Sequence, residues 1–137
     1  MDDAQDTLGP TARIARDLIR FDTTNWGGGR SNGEREAAEY LEAALSGLGL
    51  STTVHESAER RTSVFTRVSG ADPTKPALVV HGHTDVVPAD PDNWSVDPFA
   101  GIVRDGMLWG RGAVDMKDMD AMMLQPLTDI ITSGRQP

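Results

Sequence analysis

The sequence predicts an α/β layered domain, and three observations carry that reading. Two early segments, 10–21 and 32–46, space their apolar residues at helical intervals. Thr- and Val-rich stretches follow, then a continuous apolar run from Ala77 to His81, as in a strand covered on both faces. A third helical pattern spans 116–132.

Element by element, the first eight residues are polar and expected to fray. Pro10 suits a first helical turn, and Ile14, Leu18 and Ile19 give the helix to Phe21 one apolar stripe. Thr23 to Gly29 is a loop, because three consecutive glycines disfavour helix. A second helix runs from Asn32 or Gly33 to Ser46, with Ala38, Leu41, Leu45 and Leu48 on its core face and Gly47 or Gly49 as its cap. Leu50 to Glu56 and Thr62 to Val68 read as strands. Gly70 to Pro76 is a turn, Ala77 to His81 the short buried strand, and Thr84 to Ala100 a long loop with three prolines. Ile102-Val103 and Met107-Leu108-Trp109 flank Asp105-Gly106 as a hairpin. The last helix starts near Met116 and stops at Gly134, with Pro126 expected to kink or divide it. Five methionines from Met107 to Met123 read as core filling, and Trp94, Phe99 and Trp109 as packing for the long loop. The end at Pro137 falls where a βαβ crossover would deliver its next strand.

Composition narrows the chemistry. At 137 residues the chain is one domain in size, and a net charge of −8 argues against nucleic acid or anionic membrane as partner. With no cysteine, disulfides and thiolate metal sites are excluded, so a transition metal would have to be held by His, Asp or Glu. The acidic N-terminus lacks the order of a signal peptide, and the run Ala77 to Val80 is too short to span a bilayer. A cytoplasmic address is the expectation.

Three residues stand out. His83 and Asp85 are two apart at the end of the apolar run, where a persisting strand direction would put them on one side. Asp85 could then hold one imidazole nitrogen and leave the other for a metal. A satisfied loop histidine beside a turn-forming Asp fits the same spacing and is the commoner outcome. Asp115 follows Gly110-Arg111-Gly112 and could bridge two cations, or serve as a helix N-cap. Asp118 and Asp120 read as helix-start charges, and Arg111 and Lys117 as solvated cations or contacts for an anionic substrate. His55 has no partner in sequence and reads as a surface residue; His81 could extend the site but reads as packed. Other chemistries fail on inventory: no Gly-x-Ser-x-Gly elbow, no phosphate loop and no His-Glu-x-x-His.

Together the motifs go further than spacing. His81-Gly82-His83-Thr84-Asp85-Val86-Val87-Pro88 resembles the first motif of the co-catalytic zinc peptidase/deacylase family, which includes succinyl-diaminopimelate desuccinylase, acetylornithine deacetylase, aminoacylase and glutamate carboxypeptidases. Trp94 to Phe99 and Asp105 to Lys117 are similar to its second block in order and spacing. The resemblance implies a partial zinc-exopeptidase-like domain with a central, mostly parallel sheet and flanking helices. Residues 9–137 would be the N-terminal part of the catalytic domain, without the lid and dimerisation segment. It implies His83 as a ligand of one zinc ion, Asp115 as the carboxylate bridging two, Asp85 as the catalytic-site partner of His83, and a cis peptide after Asp115. Cobalt or manganese are possible substitutes for zinc. The substrate class it implies is a peptide or small N-acyl amino acid.

The chain departs from the family at Asp118-Met119, where Gly-Gly is common, and the family's Glu-Glu pair and later ligands have no counterpart before Pro137. The expected function is amide hydrolysis by a di-zinc-activated water, with this chain an incomplete, inactive portion that tends to aggregate. The alternative is a non-enzymatic remnant or interaction module with at most weak metal binding.

Overall fold

The computed structural model describes residues 8–137, so most of the polar segment expected to fray lies outside the described residues. Helix α1 (Pro10–Ile19) begins at its proline and buries Ala15, Leu18 and Ile19. Strands β1 (Asn25–Gly27) and β2 (Arg30–Ser31) form a small hairpin around the glycines that sequence reading assigned to a loop. Gly27, Gly28 and Gly29 all have positive φ there, a backbone region that side chains oppose. Helix α2 (Arg35–Gly47) buries Ala37, Ala38 and Leu45.

Strands β3 (Thr52–Ala58) and β4 (Arg61–Thr66) pair antiparallel, with Val54 opposite Val64 and His55 opposite Ser63. His55 is exposed, in keeping with a surface role. Strands β5 (Ile102–Arg104) and β6 (Met107–Trp109) make the expected hairpin through Asp105-Gly106, both at positive φ. Helix α3 (Lys117–Thr132) packs along α1 and buries Ala121 and Leu124. Pro126 lies inside it without dividing it. The backbone carbonyl that loses its donor belongs to Met122, an exposed position where water can replace the bond.

The structure is a mixed α/β arrangement of three helices and short sheets. Its sheets are three antiparallel pairs, and the described parallel pairing is a single bridge between Thr24 and Val86. The expected buried strand is corrected outright. Ala77 to His81 is in no strand, and Leu78, Val79 and Val80 are 86%, 78% and 61% exposed. Continuous apolarity encodes a wish to be covered on both faces, but covering requires neighbouring strands, and none lies beside this segment among the described residues. The methionine expectation is also revised: Met107, Met119 and Met122 are exposed.

No helix among the described residues is long and apolar enough to cross a membrane.

Candidate metal centre

The Thr24–Val86 bridge builds the site. Asn25 N–H donates to the Val86 carbonyl oxygen at 2.8 Å, and Val86 N–H to that of Thr23 at 3.2 Å. The buried Thr23 hydroxyl donates to the Thr84 carbonyl oxygen at 2.5 Å. These bonds lay the 84–86 segment against the chain entering β1, which places Asp85 beside Asn25.

Asp85 is held from two sides. Asn25 Nδ2 donates to its Oδ2 at 2.9 Å, and an Arg61 guanidinium nitrogen lies 3.6 Å from the same oxygen. Arg61 in turn pairs through Nε with Glu34 Oε2 at 3.0 Å. Burial pushes the Glu34 carboxyl above its usual range, against the opposing pull of Arg61. Asn25, Arg61 and Glu34 come from β1, β4 and the residue preceding α2. Sequence reading missed all three, because nothing local in the chain announces partners that lie far along the sequence.

The other Asp85 oxygens face His83. Its Nδ1 lies 3.1 Å from the Asp85 carbonyl oxygen and 3.2 Å from Oδ1. Both neighbours only accept hydrogen bonds, so Nδ1–H donates, and in the neutral ring the lone pair then falls on Nε2. Nε2 points to Asp115 Oδ1, 3.3 Å away. Asp115 is 84% exposed on its side chain and follows the turn made by Gly110 to Ala113; its peptide bond to Met116 is cis. The structure thus brings His83, Asp85 and Asp115 together, although the segment holding His83 and Asp85 is not a strand.

A lone pair facing a carboxylate oxygen leaves a gap that suits a cation. Two donors of a tetrahedral zinc ion at ~2.1 Å stand about 3.4 Å apart, close to the Nε2–Oδ1 span. The residues present therefore fit a zinc-type ion in donor chemistry and spacing. Among the described residues no group of three or more His, Cys, Asp or Glu side chains gathers to complete a coordination shell. His81 is exposed and makes no described hydrogen bond to the pair.

Beside the pair, a groove of about 260 Å3 is lined by Val87, Trp94 and residues 110–115. Arg111 stacks on Trp94 at 5.3 Å and donates to the Pro88 carbonyl oxygen at 3.2 Å, which ties the long loop to the segment after His83. The expectation of solvated cations is corrected for Lys117, which is 0% exposed. Its Nζ donates to the Phe21 carbonyl oxygen at 2.8 Å, and burial pulls its pKa down to about 8. Asp120 stands in the first turn of α3, as a helix-start charge would, but is buried there; burial pushes its pKa up to about 6, with Lys117 opposing.

The sequence itself matches known proteins. Residues 79–137 match the model of peptidase family M20/M25/M40. Succinyl-diaminopimelate desuccinylase of Gluconacetobacter diazotrophicus is 38% identical over 129 residues, covering 92% of this chain and 31% of that protein. The Rhodopseudomonas palustris desuccinylase is 38% identical over 140 residues, covering 96% and 33%. The human N-fatty-acyl-amino acid synthase/hydrolase is 41% identical over 73 residues, covering 53% and 14%. The chain spans about a third of the length of the desuccinylases it matches. With the matched region holding both His83 and Asp115, the chain belongs to the peptidase M20/M25/M40 family.

Proposed function

We propose that this chain contributes part of the metal centre of a hydrolase that cleaves an amide bond in a peptide or N-acyl amino acid. The observation that carries the reading is the orientation of His83, with Nδ1 committed to Asp85 and Nε2 aimed at Asp115 across 3.3 Å. In this reading His83 would hold one zinc ion, Asp115 would be shared between two, and Asp85 fixes the imidazole ring and tautomer. When bound, the ions polarise a carbonyl and make a water molecule acidic near neutral pH. The chain's own residues do the holding: Asn25 and Arg61 restrain Asp85, and Asp85 restrains His83. Cobalt or manganese would be possible substitutes at the same donors. The named activities of the relatives support hydrolysis of acylated amino acids as the substrate class.

Two donors without a third among the described residues support weak metal binding and no turnover by these residues alone. The test grafts residues 8–137 in place of the matching third of the Gluconacetobacter desuccinylase. Zinc-dependent hydrolysis of N-succinyl amino acids, lost with His83→Ala, is the expected result. A folded chimera no more active than its His83→Ala control would sink the reading. Calorimetry on the ungrafted chain adds a check independent of chimera folding: zinc binding should weaken with either His83→Ala or Asp115→Ala.

The competing reading is a non-enzymatic interaction module, favoured by the exposed Leu78, Val79 and Val80. It predicts an inert chimera and self-association that does not depend on metal.

A further inference from the structure

Asp120 lies in the first turn of α3, the helix that Asp115 precedes, and is 7% exposed. Its Oδ2 is buried with no hydrogen-bond partner. The carboxylate sits against Gly82, next to His83: a Cβ placed on Gly82 would come within 2.2 Å of Asp120 Oδ1. A favourable position near the helix N-terminus accounts for an acidic residue there. It does not account for burying that residue under the metal-site backbone, since a carboxylate removed from water without a donor is strongly disfavoured.

The cation that acts on Asp120 is the Lys117 ammonium. The Lys117 ammonium is engaged by the Phe21 carbonyl oxygen at 2.8 Å, and Nδ1–H of His83 is engaged by Asp85. Neither donates a hydrogen bond to the orphaned oxygen. A divalent cation held by His83 and Asp115 would bring the missing counter-charge close to it.

We propose that Asp120 is a positioning residue of the His83–Asp115 cation centre, a third carboxylate that does not ligate the ion but strengthens its binding by charge and seats the Gly82–His83 backbone on α3. This rests on the metal reading of His83 and Asp115.

The test titrates the 137-residue chain with Co2+, following the visible absorption of the bound ion, and records the melting temperature of the metal-free chain. Asp120→Asn keeps the shape and removes the charge. Loss of an outer-shell partner of this kind weakens metal binding by about tenfold or more, which is the expected effect here. The absorption spectrum should keep its shape because the ligands are unchanged, and the metal-free melting temperature should not fall. Affinity unchanged in Asp120→Asn overturns the role of Asp120 and leaves His83 and Asp115 as ligands. A metal-free melting temperature that drops along with affinity makes Asp120 a merely structural residue and also overturns it. No Co2+ binding by the wild type, or binding indifferent to His83→Ala, removes both readings. Should Asp120→Asn not fold, Asp120→Leu fills a similar volume without charge and reads the same affinity.

Discussion

Asn25 and Asp85 are sixty residues apart in sequence, yet Asn25 Nδ2 donates to Asp85 Oδ2 at 2.9 Å. The contact exists because a single parallel bridge, Thr24 to Val86, aligns the two segments. It is the outermost link in a line that runs from Asn25 through Asp85 and His83 to Asp115.

Cutting that link should loosen His83 without unfolding the chain. Asn25→Ala is expected to weaken zinc binding by less than the roughly tenfold that losing a ligand's direct partner costs, because Asn25 acts through Asp85. The stability loss should stay near ~1 kcal/mol, the usual worth of one hydrogen bond. Zinc calorimetry alongside urea denaturation separates the two effects, and unaltered zinc affinity would show that Asp85 needs no help from Asn25.

A side chain at Gly82 would have to displace the tips of Asp120 and Met123. A Cβ there would lie 2.2 Å from Asp120 Oδ1 and 2.7 Å from Met123 Cε. Gly82→Ala should therefore destabilise the chain by about 1–3 kcal/mol, the cost of overpacking. Combining it with Met123→Ala and Asp120→Ala should recover part of that loss. Urea midpoints that do not move in Gly82→Ala would mean that α3 shifts freely away from residues 81–83.

Lys117 links stability to pH. Burial lowers its pKa from 10.5 to about 8, so the folded state favours the neutral amine. Because the folded value lies below the unfolded one, its contribution to stability is present above pH 10.5 and is lost as pH falls through about 8. Lys117→Met has no such titration. In chelator, its stability relative to wild type should rise by about 3 kcal/mol between pH 10.5 and 8, at 1.36 kcal/mol per pKa unit. Denaturation curves at several pH values test this, and a constant difference would contradict it.

Leu78, Val79 and Val80 form an extended apolar segment open to solvent. Such a segment pairs readily with another chain. Replacing Leu78 and Val80 with Lys should lower self-association, measured by sedimentation or light scattering, while leaving the melting temperature within a degree or two. Equal association in the variant would place the sticky surface elsewhere, with exposed Val54 and Phe65 on the β3–β4 hairpin the next candidates.

Local pattern carried much of the architecture. The spacing of Leu18 and Ile19 and of Ala38 and Leu45 marks the buried faces of the first two helices, because helical periodicity places such residues on one side wherever the helix docks. Asp105-Gly106 marks its hairpin for the same local reason. His83, Asp85 and Asp115 were legible as a motif, since their order and the residues between them are properties of the chain.

Tertiary structure alone decided the rest. It turned Lys117 and Asp120 inward, recruited Asn25, Arg61 and Glu34 behind Asp85, and left Leu78 to Val80 exposed despite their apolar run. Each of these outcomes depends on which distant segment comes to lie alongside. A residue type states what kind of neighbour would stabilise it, whereas the pairing of segments such as Thr24 with Val86 determines whether that neighbour is there.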